Sequence, residues 1–271
     1  MSRALAPAGA PIEQAFAAHS RSAALMPYMM GGFPTLADSL RVGEAYVDAG
    51  ADLIELGVPF SDPLADGPAI QAAGQVALEA GATLEDVLRE VATPLAARVP
   101  VVLMCYSNPL LHRGFEASVA ALAAAAVAGL IVPDMPASEA GELRAVCDAA
   151  GVALVPLVAP TTPPEQVREI AARARGFIYV VSVTGVTGER GQLPPELSEV
   201  VGRVRSATEL PVAVGFGIGT PEQAAAVGEM ADGVIIGSRL VRTVAEAADI
   251  ETGLGEVRGF LGEVSAALSI P

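Results

Sequence analysis

The sequence predicts a (β/α)8 barrel with one extra helix ahead of the first strand and another after the second. Three observations carry that expectation: eight short runs rich in Val, Ile and Leu, helix-forming segments between them, and a length of 271 residues. The runs are near-continuous rather than alternating, which is the pattern of parallel strands buried on both faces. Eight βα units in a chain of this size match a barrel of roughly 250 residues carrying additional helices. An open, doubly wound sheet also fits alternating strands and helices, and it is the count of eight that favours the closed form. No Pro/Gly-rich linker, charge block or long repeat divides the chain, so residues 1–271 are expected to form a single domain.

Taken in order, the strands are expected at Leu25–Met30, Asp52–Gly57, Val101–Tyr106, Leu130–Pro133, Val152–Leu157, Phe177–Ser182, Val212–Gly215 and Gly233–Gly237. Residues 11–19 predict the helix ahead of the first strand. The gap between Glu55 and Val101 has room for two helices broken near Gly81, the second opened by Thr83-Leu84-Glu85-Asp86. In a helix starting near Ser138, Leu143, Val146, Cys147 and Ala150 recur at three-and-four spacing and make one core-facing stripe. Thr162-Pro163-Pro164-Glu165 and Thr220-Pro221-Glu222-Gln223 have the form of capping boxes with proline in the first turn.

The formal net charge of −15 argues against nucleic acid or an anionic membrane surface as partner, because both call for clustered cations. A phosphorylated substrate would need a local site that overcomes this field. The two cysteines, Cys105 and Cys147, are expected to be packed thiols of a reduced, cytoplasmic protein, and neither His19 nor His112 has neighbours at metal-ligand spacing. Pro7, Pro11 and Glu13 interrupt any signal-peptide core. The uncharged run from Ala117 to Val132 is shorter than the roughly 20 residues of a spanning helix, and Gly129 splits it into helix and strand.

Chemistry is expected at the strand ends. Glu55 closes an apolar run, and Pro59, Pro63 and Pro68 force a loop after it on which Asp66 lies. A lone glutamate there could cap a helix or pair with an arginine. In a mouth lined by Leu, Ile, Val, Phe and Tyr, however, desolvation should raise its pKa to a value useful for proton transfer, while Asp66 on a polar loop is expected to stay ionised. Two carboxylates in different environments can divide acid and base roles.

For a phosphate, three glycine-bearing loops follow the sixth, seventh and eighth runs: Thr184–Gly188, Gly215–Gly219 and Gly237-Ser238. Glycine admits an anion close to backbone N–H groups, and Gly237-Ser238 is expected to open a short helix whose first amides point at the same place. A dinucleotide fingerprint would require a glycine at Thr220 and is not matched. Tyr28, Tyr106 and Tyr179 are expected in the first, third and sixth strands, and their plain role is packing. Tyr179 would face an aromatic ligand if it points inward. Asp134 is expected to start a helix, and Glu189 and Arg190 sit in a glycine-rich loop able to act as a lid.

With these residues in view, the chain resembles tryptophan synthase alpha subunits over almost its whole length. The resemblance rests on Glu55-Leu-Gly-Val-Pro-Phe-Ser-Asp-Pro-Leu-Ala-Asp66-Gly-Pro, Tyr106-Ser-Asn-Pro-Leu, Pro133-Asp-Met-Pro, Gly185-Val-Thr-Gly188, Gly215-Phe-Gly-Ile and Gly237-Ser238. It implies a (β/α)8 barrel that cleaves indole-3-glycerol phosphate to indole and glyceraldehyde 3-phosphate without a cofactor. It implies Glu55 as the acid/base, Asp66 as the partner of the indole N–H, and Tyr28 and Tyr179 beside the ring. Gly188, Gly217, Gly237 and Ser238 would form the phosphate site. A beta subunit using pyridoxal phosphate is the implied partner in an alpha2beta2 assembly, facing residues 58–63 and 107–111. Gly31-Gly-Phe-Pro-Thr35 and Val183 depart from many relatives, which carry Gly-Asp-Pro and, in some cases, Arg at those places. The alternatives are a stand-alone indole-producing lyase, a phosphosugar isomerase and a non-catalytic regulatory barrel.

Overall fold

The computed structural model describes residues 7–181, 193–215 and 217–269. The described residues form nine parallel strands: β1 (Ala24–Met30), β2 (Ile54–Gly57), β3 (Val101–Met104), β4 (Gly129–Ile131), β5 (Ala153–Leu154), β6 (Leu157–Val158), β7 (Ile178–Val181), β8 (Val212–Gly215) and β9 (Gly233–Ile236). Their order is β5-β4-β3-β2-β1-β9-β8-β7-β6.

The fifth expected strand is therefore two short ones, and Pro156 is the cause. It has no N–H to donate to a ladder, so pairing cannot run through it. On one side Val155 N–H donates to the Leu130 carbonyl at 2.9 Å, and on the other the Pro156 carbonyl accepts from Tyr179 N–H at 3.0 Å. Segment 153–158 thus bonds to β4 and to β7, and the ring closes through it as a barrel of eight staves with the fifth bent.

Alternation along the staves sorts side chains into two layers. Ala24, Met26, Tyr28 and Met30 of β1 pack inside the barrel, while Leu25 and Met29 pack outward in the shell under the helices. Ile54 and Leu56 of β2 belong to that outer shell, which turns Glu55 between them inward. Parallel register sets Glu55 beside Tyr28 on one side and Val102 on the other.

The extra N-terminal helix, Ala10–Ala18, stoppers the barrel's N-terminal end. Ile12 is fully buried there, and the Phe16 ring lies 5.7 Å from that of Phe177. After β2 come two helical stretches separated at Gly81, whose φ is +81°. The first is Pro68–Glu79 and the second runs as Leu84–Asp86, a π-helical turn Val87–Ala92, and Thr93–Ala96. Thr83 and Asp86 make the expected reciprocal cap. The widened turn has a physical reason in Pro94, which lacks an N–H and whose ring would strike the carbonyl four residues back in a regular α-helix.

Other local expectations shift. Thr162 does not cap the helix Pro164–Ala171; its hydroxyl accepts from Ala159 N–H instead, and Pro163 stands at the cap. Thr220 does cap Pro221–Gly228, but the Gln223 side chain accepts from Gly219 N–H. The helix expected near Ser138 begins at Gly141, and its Leu143 and Cys147 are buried.

Candidate active site

The loop after Gly57 leaves Ser61, Asp62 and Leu64 exposed and then tucks Asp66 and Gly67 into the C-terminal mouth of the barrel. Pro63 accepts from Asp66 N–H at 3.1 Å, and Gln71, in the helix begun by Pro68, donates to the Asp66 carbonyl at 2.8 Å. Tyr106 pins the loop from across the mouth. Its hydroxyl accepts from Ala65 N–H at 3.1 Å and donates to the Asp66 carboxylate, and its ring stacks on Phe60 at 4.9 Å. Tyr106 is not a strand residue as expected. It follows β3 by two positions, where the chain turns into the helix Ser107–Arg113. That turn is held by Asp134, whose carboxylate accepts from Ser107 N–H at 2.9 Å and from its hydroxyl at 2.7 Å. Asp134 thus secures the preceding helix instead of starting its own.

Glu55 is 1% exposed, and neither carboxyl oxygen has a hydrogen-bond partner among the described residues. Burial, with a further contribution from the nearby Asp66 charge, pushes its pKa up to about 8. Asp66 is also buried, at 4% exposure, which corrects the expectation of a polar, solvated loop. Burial raises its pKa to about 6, against the hydrogen bond from Tyr106 that pulls it down. At neutral pH the pair therefore stands as a protonated Glu55 and an ionised Asp66, which is the division of roles expected from the sequence although the environment of Asp66 is not.

Tyr28, Tyr179, Gly217, Gly237 and Ser238 line the same void as Glu55. That void is about 30 Å³, roughly the share of one water molecule. Burial first, and the two acids second, raise both tyrosine pKa values, so the hydroxyls stay protonated. Each ring lies over the glycine that ends a neighbouring strand. A Cβ on Gly57 would overlap the Tyr28 hydroxyl, and one on Gly215 the Tyr179 hydroxyl. These two seats were missed in the sequence. Their signal was present as glycine at the last position of β2 and of β8.

On the side expected to take a phosphate, Gly217 has φ +85°, a conformation open to glycine and strained for other residues. Gly237 precedes the helix Ser238–Glu246, and Gly237 and Ser238 line the void. Gly188, with the rest of Thr184–Gly188, Val183, Glu189 and Arg190, lies outside the described residues. The described mouth thus brings together Glu55, Asp66, Tyr28, Tyr179, Gly217, Gly237 and Ser238 from the first, second, sixth, seventh and eighth βα units. Such a set can move protons at an apolar ring while holding an anion at the opposite rim.

The family model described as tryptophan synthase alpha chain matches residues 15–268. The tryptophan synthase alpha chain of Carboxydothermus hydrogenoformans is 50% identical over 225 residues, covering 82% of this chain and 83% of that one. The alpha chain of Chloroflexus aurantiacus is 46% identical over 250 residues, covering 92% and 94%. Among solved structures, a chain of Mycobacterium tuberculosis tryptophan synthase superposes with a TM-score of 0.88 at 37% identity, covering 98% of this chain and all 100% of that one. A mutant alpha subunit from Pyrococcus furiosus gives 0.82 at 32% identity, covering 90% and 98%.

Proposed function

The chain belongs to the tryptophan synthase alpha chain family, and from that premise we propose that Glu55 and Asp66 carry the proton chemistry of its reaction. It is a lyase that cleaves indole-3-glycerol phosphate to indole and glyceraldehyde 3-phosphate. The observation that carries the site assignment is Glu55 itself: a buried carboxyl group with two unpartnered oxygens, sharing one void with the N-terminus of the helix Ser238–Glu246.

Breaking the bond between the ring and the glycerol chain requires a place for its electrons. Protonated Glu55 delivers a proton to C3 of indole, and the ring becomes an indolenine cation able to accept them. The resulting Glu55 carboxylate then takes the proton of the hydroxyl on the adjoining side-chain carbon. The carbonyl of glyceraldehyde 3-phosphate forms, the C–C bond breaks, and its electron pair restores the aromatic ring. Glu55 ends the cycle protonated, as it began. Ionised Asp66 opposes the positive charge that develops at the ring N–H, an interaction stronger in the transition state than in the ground state. Tyr28 and Tyr179 flank the ring, and the amides at Gly217, Gly237 and Ser238, with Gly188, hold the phosphate.

The sequence of proton transfers needs no cofactor from this chain. The partner is a beta chain, which supplies pyridoxal phosphate and consumes indole, in an alpha2beta2 assembly. Support for a docking face comes from the mouth itself, where Leu64 and Leu111 are 75% and 57% exposed, flanking the Phe60–Tyr106 stack. Because the site draws on units from β1 to the last strand, the barrel acts as one domain. No described helix is long and apolar enough to cross a membrane, and a biosynthetic role fits the cytoplasm.

Indole release from indole-3-glycerol phosphate, measured for the chain alone and with a beta chain, tests this reading. Glu55→Gln and Asp66→Asn should each abolish release with circular dichroism unchanged, and turnover retained in both would overturn the assignment. Full turnover without a beta chain would favour the stand-alone lyase.

A further inference from the structure

A cavity of about 480 Å³ touches neither Glu55 nor Asp66. It opens on the outside of the barrel between the helices Gly141–Ala150 and Pro164–Ala171, over the bend in the fifth stave. The first of these helices packs against Phe115–Ala124 and the second against Leu197–Arg205. Strand residues of this fold are buried, apart from Leu154 and Leu157 on either side of the bend and Val181 at the end of β7. Two leucines left half-covered in a parallel barrel mark a place where the helical layer has parted, since such strands are normally sealed on both faces. The size falls within the range of small-molecule sites, roughly 300–1,000 Å³.

Two of the polar groups around it are cationic. Arg144 on one helix and Arg173 just past the other both line the cavity, and neither has an ion pair with a described residue. Seven other described arginines are paired with acids. Of the two acids in the lining, Asp134 is engaged by Ser107. Glu169 remains at the rim, one helical turn before Arg173.

We propose that this cavity is a second ligand site, which takes a small organic monocarboxylate with an aromatic body. Leu154, Pro156, Leu157 and Ile170 supply the apolar surface, and Arg144 and Arg173 supply charge-assisted hydrogen bonds to the carboxylate. Glu169 repels a second negative charge and so selects against polyanions. The site is independent of the lyase assignment, since it shares no residue with it.

The test is calorimetric titration of the full chain with 2-naphthoate and with its neutral isostere 2-naphthamide. Saturable binding of the carboxylate is expected, at least about tenfold tighter than that of the amide. Arg144→Gln/Arg173→Gln should erase that preference, and Glu55→Gln should leave it intact. Equal affinity for acid and amide would overturn the proposal without depending on any variant. So would unchanged binding in the double variant, the absence of saturation at millimolar probe, or loss of binding in Glu55→Gln, which would put the probe in the barrel mouth.

Discussion

Two carboxylates three positions apart, Asp52 just ahead of β2 and Glu55 within it, are treated in opposite ways. Asp52, at the stoppered end, accepts from Leu25 N–H at 2.7 Å and pairs with Arg21. Asp232 repeats the arrangement before β9, accepting from Val212 N–H at 2.9 Å and pairing with Arg205 at 2.7 Å. Each laces its own segment to a neighbouring strand and gives its charge a partner. Glu55, facing the mouth, has none among the described residues. Burying a carboxyl without a partner costs several kcal/mol if it ionises, so it stays protonated. One end of the barrel thus uses acids to hold strands together, and the other carries acids that loosen the fold and are available for chemistry.

The sharpest way to break that contrast is to neutralise both kinds. Glu55→Gln and Asp66→Asn are expected to lower indole release by roughly 10²–10⁴ each, the worth of a positioned proton transfer. Asp52→Asn, assayed below its melting temperature, should keep turnover within a few-fold of the unaltered chain. Steady-state assays paired with circular dichroism decide it. A comparable loss from Asp52→Asn would erase the functional distinction between the two ends.

Stability should move in opposite directions. A carboxyl whose folded pKa lies above its unfolded value contributes stability that is complete below the unfolded pKa and is lost as pH rises through the folded one. For Glu55 that window runs from the ordinary glutamate value of 4.5 to about 8. At pH 8 the loss amounts to about 4 kcal/mol, and at pH 5 to about 1 kcal/mol or less. Glu55→Gln removes the titration, so its urea midpoint should exceed that of the unaltered chain at pH 8 and approach it at pH 5. Asp52→Asn should instead lower the unfolding free energy at pH 7 by about 1–3 kcal/mol, and the urea midpoint with it, through the loss of charge-assisted bonds to Arg21 and Leu25. Equal shifts of the same sign would show that Glu55 is merely structural.

Elements with a local cause were legible in the sequence. The eight staves, the N-terminal stopper and the Thr83 cap follow from apolar runs and capping residues, and the turn to the mouth after Glu55 follows from Pro59, Pro63 and Pro68. What escaped depended on partners far along the chain. Asp66 sits on a stretch with the composition of a solvated loop, and it is buried because the Tyr106 hydroxyl, 40 positions on, holds it down. Tyr106 itself looks like the last residue of an apolar strand until Asp134 is seen to cap the helix that follows. Gly57 and Gly215 are ordinary strand ends in the sequence and become seats for tyrosine rings only when register brings them beside Tyr28 and Tyr179. Pro156 stands inside the run expected as one strand, Val152–Leu157, and the run alone does not say that the strand splits there with both halves still paired.

The finest test of the contrast lies in the tyrosine that holds Asp66. The active pair needs Glu55 protonated and Asp66 ionised, so kcat/KM should rise with pH through about 6 and fall through about 8, as macroscopic values of a coupled pair. Tyr106→Phe keeps the ring against Phe60 and removes the hydroxyl whose bond favours the Asp66 anion. A lost hydrogen bond of about 0.5–1.5 kcal/mol displaces the acidic limb upward by up to about one pH unit. The basic limb, governed by the burial of Glu55, should stay in place. The bell then narrows from its acid side, and the loss of rate at pH 6 exceeds that at pH 7.5. A uniform drop across the profile would mean that Tyr106 serves only to shape the loop, and that Asp66 is set by burial alone.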